Sequence, residues 1–406
     1  MNSSASACSC GSMRSEASPV LRMLGALVAA LLASCSSMPS LPSVNPMDWF
    51  KTGGPKPAEV PALSNPQPVR VLWSTSIGTA EMFFFTPVLA DESVFAAARD
   101  GNVARLDAAT GQVRWRTSVG TKLSAGVGAD AGLVVVATEE GEVIALEAKD
   151  GKPRWKARVS SEVLAAPAVG DDVVLVRSAD SRIFAFGAVD GKRRWVFQRA
   201  AAALIVRSPA GVTMHDKLAY AGFSGGKLVA ISLTNGAMRW EATVAVPKGS
   251  TELERVADIM GNPVAQGREV CAAAFQGRVA CYDAQSGSQQ WAREMSTLTG
   301  VSFDSRYAFV ADDKGAVHAL DRTNGRSVWK QDKLANRRLS LPLPVDNEVV
   351  LGDLQGYVHF LSREGGSFVA RQPTDGSAVL AAPLRLPSGG LLMQTRNGGL
   401  YALSLK

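Results

Sequence analysis

The residues of this 406-residue chain that could do chemistry are few: five cysteines and three histidines stand out. Cys8, Cys10 and Cys35 fall in the first 35 residues, and Cys271 and Cys281 form a separate pair far downstream. A structural zinc site built on thiolates needs C-x-x-C spacing or a Cys/His cluster, and neither occurs. His215, His318 and His359 are scattered; the last two occupy equivalent places in a repeat and are expected to pack or face solvent. No Ser/His/Asp set, glycine-rich phosphate loop or paired-carboxylate constellation rises above chance. The expectation is therefore no catalytic residue, no metal and no cofactor. Two pieces of cysteine chemistry remain, acylation near the amino terminus and a disulfide in the body.

The amino terminus carries an address. Met23 to Leu32 is an apolar run preceded by Arg14 and Arg22. It is too short to span a bilayer as a helix and suits the core of a signal peptide. It ends in Leu32-Ala33-Ser34-Cys35, which resembles the bacterial lipobox: small residues fit a peptidase cleft, and the cysteine thiol takes the acyl chain. Residues 1–34 then read as a signal peptide and Cys35 as the lipidated residue, several acyl chains giving the firm anchoring that one cannot. The alternative is an ordinary secretory signal with an incidental cysteine. In this motif class an aspartate after the cysteine retains the protein in the inner membrane, so Ser36 implies the periplasmic face of the outer membrane. A start at Met13 or Met23 would leave Cys8 and Cys10 without a role. Residues 35–68 are rich in serine and proline and read as an extended tether. Asp48-Trp49-Phe50 interrupts it with two aromatics that either meet lipid headgroups or dock on the folded domain.

The body that must position everything else is repetitive. Its phrase runs from Gly101 to Trp115: turn glycine, alternating apolar strand, polar turn closed by a second glycine, then a strand reaching tryptophan. It returns at Gly141–Trp155, Gly226–Trp240, Gly277–Trp291 and Gly315–Trp329, and with serine first at Ser181–Trp195. The intervals from Trp115 through Trp155, Trp195, Trp240 and Trp291 to Trp329 are 40, 40, 45, 51 and 38 residues. Four short strands per period of about 40 residues is the signature of a β-propeller blade. A seventh copy from Gly356 has Ala370 in the tryptophan position, and an eighth from Gly398 stops at Lys406. Val69 to Trp73 supplies the missing strand, with Trp73 a normal 42 residues before Trp115. The fold class is therefore all-β: an eight-bladed propeller of four-stranded antiparallel blades over 69–406, closed by the amino-terminal strand, with seven blades the alternative.

Within the phrase, the glycines supply the positive φ of hairpin turns. Trp73, Trp115, Trp155, Trp195, Trp240, Trp291 and Trp329 are placed where blades pack, each contributing on the order of a few kcal/mol on burial. Cys271 and Cys281 flank the turn at Gln276-Gly277. A three-residue loop with Gly277 as its bulge glycine makes them face each other and form a disulfide in an oxidising compartment; a two-residue loop misaligns them.

The phrase resembles the tryptophan-docking repeat of pyrroloquinoline-quinone enzymes. It also resembles the BamB family, lipoproteins of the outer-membrane β-barrel assembly machinery that share that propeller. The lipobox with Ser36, the eight-blade count, Gly249-Ser250-Thr251-Glu252-Leu253-Glu254-Arg255-Val256-Ala257-Asp258 and Gly352-Asp353-Leu354-Gln355-Gly356-Tyr357-Val358-His359 favour the latter. Spacing independently marks a contact surface. The periods of 45 and 51 residues are consecutive, and their extra residues fall in the same connection, within Arg199–Arg207 and Val246–Val256. Insertions gathered on one face of a repeat array often mark its binding face. Leu204, Ile205, Val206 and Arg207 form an apolar cluster with an arginine anchor; alternatively Leu204–Val206 begin the blade's inner strand. The resemblance implies that Leu204, Val206, Arg207 and Asp258 contact the barrel-assembly protein's periplasmic domains, with Met260 in place of a second acid.

Composition fits a globular chain, 46% apolar and 20% charged, and the net charge of +6 is dispersed. Arg337-Arg338 and Lys192-Arg193-Arg194 are too short for a nucleic-acid patch. The leading function is a non-catalytic scaffold that holds the assembly protein and incoming barrel precursors near the membrane, blade edges adding strands to extended clients. The alternatives are a periplasmic quinoprotein dehydrogenase or a generic ligand-binding propeller. The dehydrogenase would require a quinone, a calcium site and a carboxylate base, and the adjacent cysteine pair of those enzymes is missing.

Overall fold

The structure, a computed structural model, describes residues 55–200, 204–387 and 389–405. The signal segment, Cys35 and Asp48-Trp49-Phe50 lie outside the described residues. Thirty-two strands form eight four-stranded antiparallel sheets among the described residues. Seven blades are continuous in sequence: 88–118, 125–158, 168–198, 212–243, 259–294, 302–331 and 343–373. The eighth combines Leu384–Arg385, Leu391–Gln394 and Gly399–Leu405 with Val69–Ser76 as its outer strand. Val69 pairs with Leu405 and Ser76 with Gly399, so the first and last strands are zipped into one sheet. The propeller is eight-bladed and closed as the repeat requires, which leaves few free strand edges.

Burial explains the pattern of each blade. Second strands such as Leu133–Ala137 are buried throughout, because a neighbouring blade covers each face. Outer strands alternate, and in Pro153–Arg158 the tryptophan is the one buried residue. The core accordingly lies between blades: Val135 and Val143 of the second pack with Val174, Val176 and Phe184 of the third.

Each of the seven repeat tryptophans makes the same joint. Its indole Nε1 donates to a backbone carbonyl just beyond the third strand of the next blade, at 2.7–3.1 Å. The acceptors are Ala108, Ala148, Ala188, Leu233, Ala284, Arg322 and Arg363 in ring order, beginning with Trp73. The ring face lies on the glycine that closes that turn. At Gly191, φ is +66° and a Cβ would come within 2.6 Å of the Trp155 ring. The glycine therefore serves the turn and the neighbouring blade together. A β-bulge follows the residue paired with each tryptophan, and bends the strand around the ring.

Blade seven departs from this rule for a structural reason. Ala370 would have to dock on the third turn of blade eight, and no such turn joins its last two strands, because they are the last and first strands of the propeller. The volume is supplied from the partner strand instead. Residues paired with tryptophan are mostly small, such as Ala145, Ala185 and Ala319, whereas Ala370 is paired with Phe360.

Two expectations are corrected. Gly277 does not take the positive φ of its hairpin; Gln276 does, at 49°, while the loop keeps three residues. Gly277 is needed for space, since a side chain there would collide with Ala245. Cys271 and Cys281 are opposite each other in register, with the sulfurs joined as a disulfide. The proline-rich segment is not tether throughout. Ala58 N–H donates to Ala335 O and Gln67 N–H to Val369 O, so its last residues lie along blade seven.

That strap is held by a buried network. Arg337 donates through Nη1 to Ala58 O at 2.8 Å and through Nε to Asp353 at 2.7 Å. His359 Nε2 is 2.8 Å from the same carboxylate, and Arg371 donates to His359 Nδ1 at 3.3 Å. The imidazole is thus neutral, with its proton on Nε2. His359 is a network member rather than a plain packing or surface residue, and His318 repeats the pair with Asp312 at 2.9 Å. Burial pushes His359 below its ordinary value of 6.5, against the pull of Asp353. Burial also opposes charge on Asp353, yet hydrogen bonds from His359, Tyr357 and Arg337 hold it below 3.8.

Two outcomes follow from these joints. Gly191→Ala forces the ring contact and strains the turn, and is expected to destabilise by about 1–3 kcal/mol, read as a lower urea midpoint. Both His359 and Asp353 have folded values below the unfolded ones. Their contribution is present above the unfolded values and is lost as pH falls, first through 6.5. Urea titrations should show stability declining below pH 6.5, with a shallower decline in His359→Gln.

Candidate partner-binding site

The two long periods become two loops on one face. Residues 199–211 join the outer strand of blade three to the inner strand of blade four, and 244–258 do the same for blades four and five. The inner strand of blade four begins at Val212, so Leu204–Val206 are loop and not strand. Leu204 and Ile205 are 45% and 43% exposed. Val206 is half-buried and Arg207 projects beside it.

What fixes the loop is Asp258. Its carboxylate accepts from Val206 N–H at 2.6 Å and from Gly225 N–H at 3.3 Å. Burial raises its pKa, partly offset by these two donors and by the charge of Arg177. Arg177, pushed down to about 10 by burial, donates to Ala210 O at 2.9 Å and lies 5.1 Å from the Phe223 ring centroid. Asp258 was expected at the contact surface, but it is only 6% exposed and both oxygens are engaged inside the chain. It shapes the surface from below. Met260, in the position of the second acid, is buried as well.

Arg207 is the charged centre of the exposed face. Its guanidinium donates to Glu162 at 2.8 Å, lies 3.7 Å from Glu139 and stands 5.5 Å from the centroid of Phe83. The hydrogen bond to Glu162 raises its pKa further, so the group is permanently cationic. Beside it opens a cavity of about 270 Å³, lined by Leu164, Arg177, Ile205, Val206, Phe223 and Asp258 among others. Sequence reading missed Glu139, Glu162 and Phe83 as its neighbours. Glu139 stands two residues before the hairpin glycine Gly141 and reads as turn chemistry, and Phe83 lies in a period of ordinary length.

Among the described residues, one acid and cysteine cluster is already occupied. Glu269, Cys271 and Cys281 approach one another. The two sulfurs bond each other and Glu269 pairs with Arg322, so the group offers no thiolate. The exposed stretch 204–207 offers an incoming surface the apolar side chains of Leu204 and Ile205 beside the fixed cation of Arg207.

Residues 99–331 match the family model described as outer membrane protein assembly factor BamB. The assembly factor BamB of Burkholderia pseudomallei is 40% identical over 96% of this chain and 98% of its own length. The crystal structure of BamB from Moraxella catarrhalis superposes with a TM-score of 0.76 at 24% identity, covering 83% of this chain and all of that one. The quinohemoprotein alcohol dehydrogenase of Comamonas testosteroni superposes with a TM-score of 0.67 at 14% identity, covering 82% of this chain and 76% of that one, and shows a shared fold alone. On the family match and on identity sustained over nearly its whole length, the chain belongs to the BamB family of outer membrane protein assembly factors.

Proposed function

We propose that this protein is a non-catalytic lipoprotein scaffold of the outer-membrane β-barrel assembly complex. The signal peptide directs it across the inner membrane, and lipid on Cys35 holds it at the periplasmic face of the outer membrane. Its propeller binds the periplasmic domains of the barrel-assembly protein and so aids folding and insertion of outer-membrane proteins, with unfolded precursors as further clients. The relatives' description as outer membrane protein assembly factors supports the setting. The observation that carries the reading is a loop that exposes Leu204, Ile205 and Arg207 while Asp258 holds its backbone from beneath. Such pre-organisation reduces the entropy lost on binding. An oxidising periplasm also suits the Cys271–Cys281 disulfide.

Affinity capture from solubilised membranes should recover the barrel-assembly protein with the wild-type chain. Arg207→Glu, which sets a third carboxylate against Glu162 and Glu139, should cut that recovery at least tenfold. Unchanged recovery contradicts the site. Asp258→Ala leaves the Val206 and Gly225 amides without their acceptor, a loss of about 1–3 kcal/mol. Hydrogen exchange at Val206 should accelerate in that variant while the blade strands stay protected.

A further inference from the structure

A third connection of the same class lies on this face, and regular spacing conceals it. Residues 77–87 join the outer strand Val69–Ser76 to the inner strand Val88–Ala90, although Trp73 and Trp115 are an ordinary 42 residues apart. Side chains alternate along it. Met82 is 68% and Phe84 37% exposed, while Phe83 and Phe85 point inward and are buried. The exposure does not come from a loose loop. Ala80 N–H donates to Arg396 O at 2.8 Å, Arg99 N–H to Thr79 O at 2.9 Å and Thr86 N–H to Gly126 O at 3.2 Å. Blades eight, one and two therefore each hold the arm in place.

The arm meets the loop described above at Arg207. The Phe83 ring meets two guanidiniums, Arg99 at 4.3 Å from its centroid and Arg207 at 5.5 Å. Met82 Sδ is 4.0 Å from Arg207 Nη1. The nearby carboxylates are matched: Glu81 and Glu139 pair with Arg99, and Glu162 with Arg207. Met82 and Phe84 stand beside these matched charges as exposed apolar side chains.

We propose that Met82 and Phe84 are the second half of the docking surface, covered by the same partner surface that takes Leu204 and Arg207. This rests on the function proposed above. Continuity is the argument for one occupant: a group that reaches the Arg207 guanidinium is within contact range of Met82 as well. The occupant fitted is a protein edge that presents apolar side chains to both the arm and the loop, with a polar group at Arg207. Exposed apolar side chains held rigidly around a buried aromatic are what interface anchors look like, and methionine adapts to the shape it meets.

The test titrates the full-length lipoprotein in detergent with the soluble periplasmic domains of the barrel-assembly protein. The variants are Met82→Ser/Phe84→Ser, Arg207→Ala and, as a control, the exposed Val113→Ser. The arm variant should raise Kd at least tenfold with thermal unfolding unchanged, and the control should match wild type. In the wild-type complex, amides 81–85 should gain protection from hydrogen exchange, a readout that needs no substitution. An arm variant within twofold of wild type, with Arg207→Ala still weakened and no protection at 81–85, overturns the inference alone. If neither Arg207→Ala nor the arm variant weakens binding, the docking reading itself fails.

Discussion

The tryptophan joint is the constraint on which the rest of this structure depends. An indole from one blade spends its single N–H on a carbonyl of the next, and its ring face on a glycine where no side chain fits. Hydrophobic burial alone would hold blades together without fixing their rotation. The combination of a directional bond and a steric fit fixes both spacing and angle, seven times around the ring. Each neighbour is then set, so the connections on the faces inherit defined positions. The proposed docking surface is a consequence: loops from blades eight-to-one and three-to-four meet at Arg207 because the ring between them is rigid.

How far the sequence discloses this follows from what each residue has to do alone. Glycine in a turn and tryptophan at a repeat end are local signals, so the blades, their number and the closure by Val69–Ser76 are legible. The link between them is not, because it joins a tryptophan to a turn some 33 residues on, as in Trp115 to Ala148. Ala370 looks like decay in the linear sequence. In three dimensions it is the one place where no turn waits to be docked on, with Phe360 filling the space from the paired third strand of its own blade. Gln276 shows the opposite limit: the turn length is readable, but the left-handed residue is Gln276, while Gly277 is kept free of a side chain by Ala245 of the neighbouring blade.

The candidate site divides in the same way. The 45- and 51-residue periods point to the loops, and composition points to Leu204 and Arg207. The role of Asp258 is invisible without coordinates, since a carboxylate reads alike whether it faces a partner or two backbone amides. Phe83 and Met82 escape notice because their connection displaces no tryptophan. The stretch from Gly352 to His359 likewise gains a physical meaning. Asp353 and His359 close a buried network around Arg337, which holds the incoming strap at Ala58.

The central claim is that a rigid ring presents the braced 204–207 loop to the assembly machinery. Its most direct test is site-specific photo-crosslinking in intact cells, with the reactive side chain placed at Ile205 and, for comparison, at Val113. The account predicts a crosslink from Ile205 to the periplasmic domains of the barrel-assembly protein and none from Val113. Crosslinks from Val113 alone, or none to that protein from Ile205, would contradict it.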